Sequence, residues 1–228
     1  MTESLPSGAV AAAEPHPIRF VVTDDLKRSR LTTLFRLVLA IPHFLWIYLW
    51  QIVFVFALMW AWLVALIFGR LEDDLHSFLG RYVRYSTHVY AYVFLLANPY
   101  PRFHGFIGYP VDVQIDPAER QNRIVTLFRL VLAIPALIFT MVLNTVLQVT
   151  AIAAWFVALA LGRIPCGLRD LGAYCLRFQT QTYAYICLLT SRYPSLASGS
   201  APAAQPPAPA VEPPPDGELA PATPPHTP

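Results

Sequence analysis

Thr33–Pro42 reads TLFRLVLAIP, and Thr126–Pro135 repeats those ten letters unchanged. Outward from this stretch, residues 17–101 align with 110–194 at a constant shift of 93 positions without a gap, and 30 of the 85 aligned positions are identical. The later landmarks keep the shift: Trp62/Trp155, Gly69-Arg70/Gly162-Arg163, Tyr90-Ala91-Tyr92/Tyr183-Ala184-Tyr185 and Tyr100-Pro101/Tyr193-Pro194. A tandem unit of this length is a duplicated domain, and its function is expected to use equivalent residues of both copies. The chain divides into an N-terminal segment (1–16), a first repeat (17–102), a linker (103–109), a second repeat (110–196) and a tail (197–228) rich in Pro and Ala. Both end segments bury too little to fold, so they are expected to be disordered.

The repeated stretch closes an amphipathic helix over about 24–41. At 100° per residue Leu31, Leu34, Phe35 and Val38 share one side, and Ser29, Thr32, Thr33 and Arg36 the other. Asn122, Thr126 and Arg129 hold the matching polar positions in the second copy. There the run Asp116-Pro117-Ala118-Glu119 reads as a helix start, with an N-cap acid and a proline at the first turn. Pro42 and Pro135 remove a backbone donor and are expected to break or bend the helix. Beyond them the chain stays apolar: Leu37–Gly69 and Leu130–Gly162 each hold 33 residues without a formal charge. A straight helix of that length would be about 50 Å long against about 30 Å of hydrocarbon. The prolines resolve the excess on an expectation of an in-plane helix followed by a tilted spanning helix, about 43–68 and 136–161.

Composition agrees with a membrane protein. Hydrophobic residues make up 56% of the chain and charged residues 13%, against about 25% charged in soluble domains. A formal net charge of +2 is too small to point to a polyanion, so no nucleic-acid partner is expected. Cys166, Cys175 and Cys187 form no CxxC pair and all lie in the second copy, which argues against a disulfide or metal framework. Short strand-like runs, Ile18–Val22 and Val111–Ile115, precede the two units. A second helix follows in each, about 75–97 and 168–190, with tyrosines at both ends as interfacial anchors.

The expected fold is therefore an all-α integral membrane protein, a duplicated unit of one in-plane amphipathic helix plus two transmembrane helices with a short strand before each unit. Four spans would make the copies parallel. The count of basic residues then places both termini in the cytoplasm, with the protein in the inner (plasma) membrane.

The strongest functional hint is a set of arginines with no neighbouring carboxylate to pair with on their own helix. Arg36, Arg84, Arg129 and Arg177 each need a phosphate, carbonyls or water if they lie near a bilayer. Arg84, His88 and Tyr92 follow i, i+4, i+8 spacing, and Arg177, Gln181 and Tyr185 match them. Arg36, Arg84, His88, Arg129, Arg177 and Gln181 are accordingly candidates for a pseudo-symmetric site for anionic lipid headgroups, since a guanidinium fits phosphate with two parallel bonds. The bland reading is snorkelling arginines and interhelical hydrogen bonds. Glu72-Asp73-Asp74 with His76, and His43, have no counterpart in the second copy. No catalytic constellation, metal site or cofactor is expected. The leading expectation is a non-enzymatic scaffold or accessory subunit in contact with the lipid bilayer, able to meet a membrane-protein partner or a second copy. A small transporter or channel with a polar cavity between the repeats is the alternative.

The joint pattern Phe128-Arg129-Leu130, Ile134-Pro135, Gly162-Arg163-Ile164-Pro165, Gly167-Leu168, Asp170, Leu176-Arg177, Ala184-Tyr185, Leu188-Leu189-Thr190 and Tyr193-Pro194 resembles the domain-of-unknown-function 4389 family of bacterial membrane proteins. The likeness covers nearly all of 17–196 as two copies. The first copy departs from it at Leu71-Glu72-Asp73-Asp74, where the proline and glycine are missing. The resemblance implies a helical membrane domain and supplies no activity, substrate or catalytic residue.

Overall fold

A computed structural model describes residues 16–23, 26 and 28–196 of the protein. The segments expected to be disordered, apart from His16, lie outside them. The described chain forms β1 (Ile18–Val22), α1 (Arg30–Phe68), α2 (Asp73–Val93), β2 (Val111–Ile115), α3 (Arg123–Leu161) and α4 (Cys166–Ile186). Each unit is thus a strand, a 39-residue helix and a 21-residue helix.

The break expected at the prolines is absent: Pro42 and Pro135 lie inside continuous helices. Proline costs one backbone bond to the carbonyl four residues earlier, and the uninterrupted apolar helix on either side outweighs that loss. Gly69 and Gly162 stop the long helices, at φ 70° and 69°, a left-handed conformation that a glycine adopts without strain.

The helix start read at Asp116–Glu119 is also displaced. The long helix of the second copy begins at Arg123, where the Asn122 side chain caps the Ile124 N–H at 2.9 Å. The acids upstream serve other contacts instead: Asp116 pairs with Arg19 at 3.0 Å, and Glu119 accepts from Ser191 at 3.0 Å.

The repeat is built around a pseudo-two-fold axis that the register makes explicit. The strands pair antiparallel with Phe20 opposite Val113, Ile18 opposite Ile115 and Val22 opposite Val111. Phe20 and Val113 are 93 residues apart, so the axis passes between them. It passes again between Thr87 and Thr180, also 93 apart, whose hydroxyl oxygens lie 3.2 Å from each other where α2 crosses α4. Reciprocal backbone bonds complete the symmetry: the Arg28 N–H donates to Gly162 O at 3.0 Å, and the Gln121 N–H to Gly69 O at 2.8 Å. The start of each long helix therefore meets the end of the other, and Trp155 Nε1 reaches Thr33 O at 3.1 Å. The long helices run antiparallel. Both strands lie together on one side of the molecule, in the shared ribbon.

Along this axis the molecule has three layers. The β1–β2 ribbon touches α2 and α4 and neither long helix, while α2 packs on α1 and α4 on α3. Phe54 stacks on Tyr82 with centroids 3.9 Å apart, and Leu79, Val83, Ala91, Ala61, Ala65 and Leu147 fill the shared core. On α1 only one stripe is buried: Thr33, Arg36, Ala40, His43, Phe54, Ala61 and Ala65. Ile47, Trp50, Ala57, Leu58 and Trp62 flank that stripe half-buried, and the opposite side, including Leu34, Val38, Leu45, Ile52, Phe56, Met59 and Leu63, is exposed. The second long helix repeats this with Leu127, Leu130, Ile134, Ile138, Met141 and Phe156.

Among the described residues two helices, α1 and α3, are long and apolar enough to cross a membrane, with 17% and 22% of their most apolar windows buried. The short helices do not qualify, and the expectation of four spans is corrected to two candidates. The polar stripe of Arg81, Arg84 and His88 lowers the hydropathy of α2, and it faces the ribbon and its surrounding groove.

Candidate functional site

The six side chains expected to meet an anionic headgroup fall into two places. The first is the C-terminal end of each short helix. Helix ends leave carbonyls without intrahelical partners and carry the negative pole of the helix dipole. Both short helices unwind through a leucine at φ 62°, Leu95 and Leu188. Arg36 is 2% exposed; its Nη2 donates to Ala97 O at 2.6 Å and Asn98 O at 3.4 Å. Its guanidinium carbon lies 4.2 Å from the centre of the Tyr92 ring. Arg129, 1% exposed, donates to Tyr185 O at 3.0 Å and lies 4.5 Å from that tyrosine's ring centre. Arg28 Nη2 and Gln121 Nε2, at matching positions, bond Leu95 O at 2.9 Å and Leu188 O at 2.6 Å. Of the three surroundings that an arginine near lipid can use, these two have carbonyls, and the aromatic faces add a cation–π contact.

The second place lies beneath the ribbon. Arg84 Nε donates to Val113 O at 3.0 Å and sits 3.4 Å from Asp112 Oδ1. His88 Nε2 is 3.0 Å from the same carboxylate oxygen, and its ring stacks on Tyr109. In the second copy Gln181 donates to Ile18 O at 3.4 Å and accepts from the Ser195 N–H at 3.2 Å. Arg177 lies 5.3 Å from the Tyr174 ring centre. Each short helix thus binds one strand of the ribbon through the stripe seen in the sequence. The copies differ in charge here: Asp112 corresponds to Arg19, and only the first copy has a buried acid.

Burial opposes ionisation of Asp112, but bonds from His88 and from the Gly108 and Val113 N–H groups outweigh it and hold the carboxyl below its ordinary value of 3.8. Sequence reading missed Asp112 as the partner of Arg84. The available signal was its position as the first acid after Asp74, in an alternating strand. It also passed over His43, whose Nδ1 is 2.7 Å from the Tyr85 hydroxyl within a cluster containing Tyr100 and Phe103.

Two grooves border these residues. A polar one of about 460 Å³ runs between α2 and the end of β2, lined by Asp73, His76, Ser77, Arg81, Arg84 and Asp116. A narrower one of about 160 Å³ lies between the copies, lined by Gln51, Tyr82, Thr87, Gln179, Thr180 and Tyr183. Arg84, His88, Arg177 and Gln181, expected to line a cavity between the repeats, lie outside that second groove. In the acidic loop Asp73 pairs with Arg70 at 3.1 Å and His76 Nε2 lies 3.4 Å from Leu189 O. Among the described residues no three His, Cys, Asp or Glu side chains come together as a metal site would require.

The family model described as Domain of unknown function (DUF4389) matches twice, over residues 30–104 and 123–198. The chain belongs to this family, in two tandem copies. No curated protein and no solved structure matches it.

Two measurements probe these contacts. Arg36→Met keeps an unbranched apolar stem, removes the guanidinium and leaves the Ala97 carbonyl without that donor, an expected loss of about 2 kcal/mol. In a protein of this size that is roughly 4–8 °C of melting temperature in detergent. Arg36→Met with Arg129→Met should lose about the sum, and an unchanged melting temperature would refute the role given to these bonds. For Asp112, a native value below 3.8 means that its stabilisation is complete above that pH and is lost as pH falls toward the native value. Asp112→Asn should therefore be less stable than wild type at neutral pH, with the gap narrowing in acid. A gap that widens in acid contradicts the assignment.

Proposed function

We propose that this DUF4389 chain is a non-enzymatic membrane-embedded scaffold, anchored by its two long helices and presenting a polar face built on the ribbon. One observation carries the reading: the exposed apolar surface is continuous along both 39-residue helices. Exposed apolar patches of this extent are buried in lipid or in another protein. The length and uniformity of these helices suit lipid, in the plasma membrane.

Both ends of the described chain leave from the ribbon side, since Gln181 bonds Ile18 O and the Ser195 N–H. This fits termini on a common, cytoplasmic side and a tail free to tether a partner. Anionic headgroups are engaged by the exposed arginines at the ends of the long helices, Arg30, Arg70, Arg123 and Arg163. Arg36 and Arg129 act from within the fold, as do Arg84, His88, Arg177 and Gln181.

The test is extraction of native membranes with alkaline carbonate, followed by lipid analysis of the purified protein. The chain should stay with the membrane. Replacing Arg30, Arg70, Arg123 and Arg163 together by Gln should lower copurified anionic lipid, each arginine contributing about 1 kcal/mol. Release of the chain into the aqueous fraction refutes membrane anchoring; unchanged anionic lipid refutes the assignment of the four arginines.

A further inference from the structure

We propose that the long helices lie in the plane of the membrane, immersed in one leaflet, with the pseudo-two-fold axis along the membrane normal and the ribbon facing water. This rests on the membrane reading and narrows it to one orientation and one occupant of the apolar face, a single lipid leaflet.

The symmetry leaves two placements. The axis runs through the Phe20–Val113 and Thr87–Thr180 pairs and stands across the antiparallel long helices. If α1 and α3 crossed the bilayer, the axis would lie in the membrane plane. Everything on it would then sit at the depth of the bilayer centre.

Three features make that placement untenable. The two-stranded ribbon has open edges, and strand edges exposed to lipid leave backbone groups with nothing to bond. Its Arg19–Asp116 ion pair has side chains 47% and 40% exposed. Halfway along α1, the groove bounded by Trp46, Trp50 and Phe78 also contains the exposed Arg81 and His104. Charged groups exposed at the bilayer centre are the costliest arrangement a membrane protein can have.

Length points the same way. The charge-free part of α1, Leu37–Phe68, is about 48 Å long. To fit about 30 Å of hydrocarbon it would have to lean by about 50°, beyond the roughly 0–40° that spanning helices show.

With the axis upright each of these features is accommodated. The whole exposed apolar surface of α1 and α3 points into one leaflet. Arg30 and Arg163 at one end, and Arg70 and Arg123 at the other, all lie at the same headgroup level. Trp46 and Trp50 form the border beneath Arg81 and His104, a depth that tryptophan favours. The ribbon edges and Asp116 are hydrated.

The test uses the full-length chain with Cys166, Cys175 and Cys187 replaced by Ser and single cysteines introduced as Ser29→Cys, Glu72→Cys and Arg19→Cys. A membrane-impermeant maleimide is applied to right-side-out and to inverted vesicles. All three positions should label from the same face and from that face only. Labelling of positions 29 and 72 from opposite faces, or no labelling of position 19 from either face, overturns the proposal. Oriented circular dichroism of the native chain on aligned bilayers covers the case in which the cysteine-free protein does not fold. The exciton band polarised along the helix axis should be retained at normal incidence, and its loss overturns the in-plane placement. Failure of membrane anchoring itself is seen separately, as release of the chain by carbonate.

Discussion

A buried guanidinium tolerates few surroundings, and Arg36 and Arg129 occupy one of them, the carbonyl-rich end of a helix. Each arises from the first third of a long helix; Arg129 reaches a carbonyl in the last turn of α4, and Arg36 the carbonyls of the turn just beyond α2. The bond serves both partners: carbonyls at the helix end gain a charged donor, and the cation gains the negative pole of a helix. It also sets the register of the hairpin. A slip of one residue would carry the guanidinium away from both the carbonyls and the ring of Tyr92 or Tyr185. That is a physical reason for the sequence Phe-Arg-Leu to appear in both copies of TLFRLVLAIP.

With each hairpin held this way, duplication supplies the rest. The two hairpins meet at Thr87 and Thr180, and the strands preceding them close the axis at Phe20 and Val113. Neither strand has a partner within its own unit, and a lone strand exposes all of its backbone groups. The antiparallel ribbon is therefore a product of having two copies. The same holds for the long helices, whose starts are tied to the opposite copy through Gly69 O and Gly162 O.

Much of this is legible in the chain. The repeat, the strands, the existence and sides of the helices, and the polar stripe on α2 and α4 follow from local periodicity. What stays hidden there depends on tertiary partners. Pro42 reads as a break because an isolated helix would lose more than it gains there; the long apolar flanks decide otherwise. Asp116–Glu119 has the chemistry of a helix start, but Arg19 and Ser191 claim its acids. Arg36 and Arg129 are recognisable as needing a partner, with phosphate, carbonyls and water all open. Only the fold reveals that residues about 60 positions later bring carbonyls to them. Whether α2 and α4 read as spans turns on where their polar stripe points, and Arg84 pairs with the ribbon.

The antiparallel placement of the long helices underlies the symmetry axis, the layering and the proposed membrane orientation alike. It is tested most directly by pulsed electron–electron spin distance measurement on the full-length chain in lipid nanodiscs, with labels at Leu31 and Ala160. Arg30 Nη2 bonds Ala160 O at 3.0 Å, so the account predicts a single short distance, within about 20 Å once the label arms are included. A distance on the order of 50 Å, the separation of opposite ends of parallel helices of this length, would contradict it.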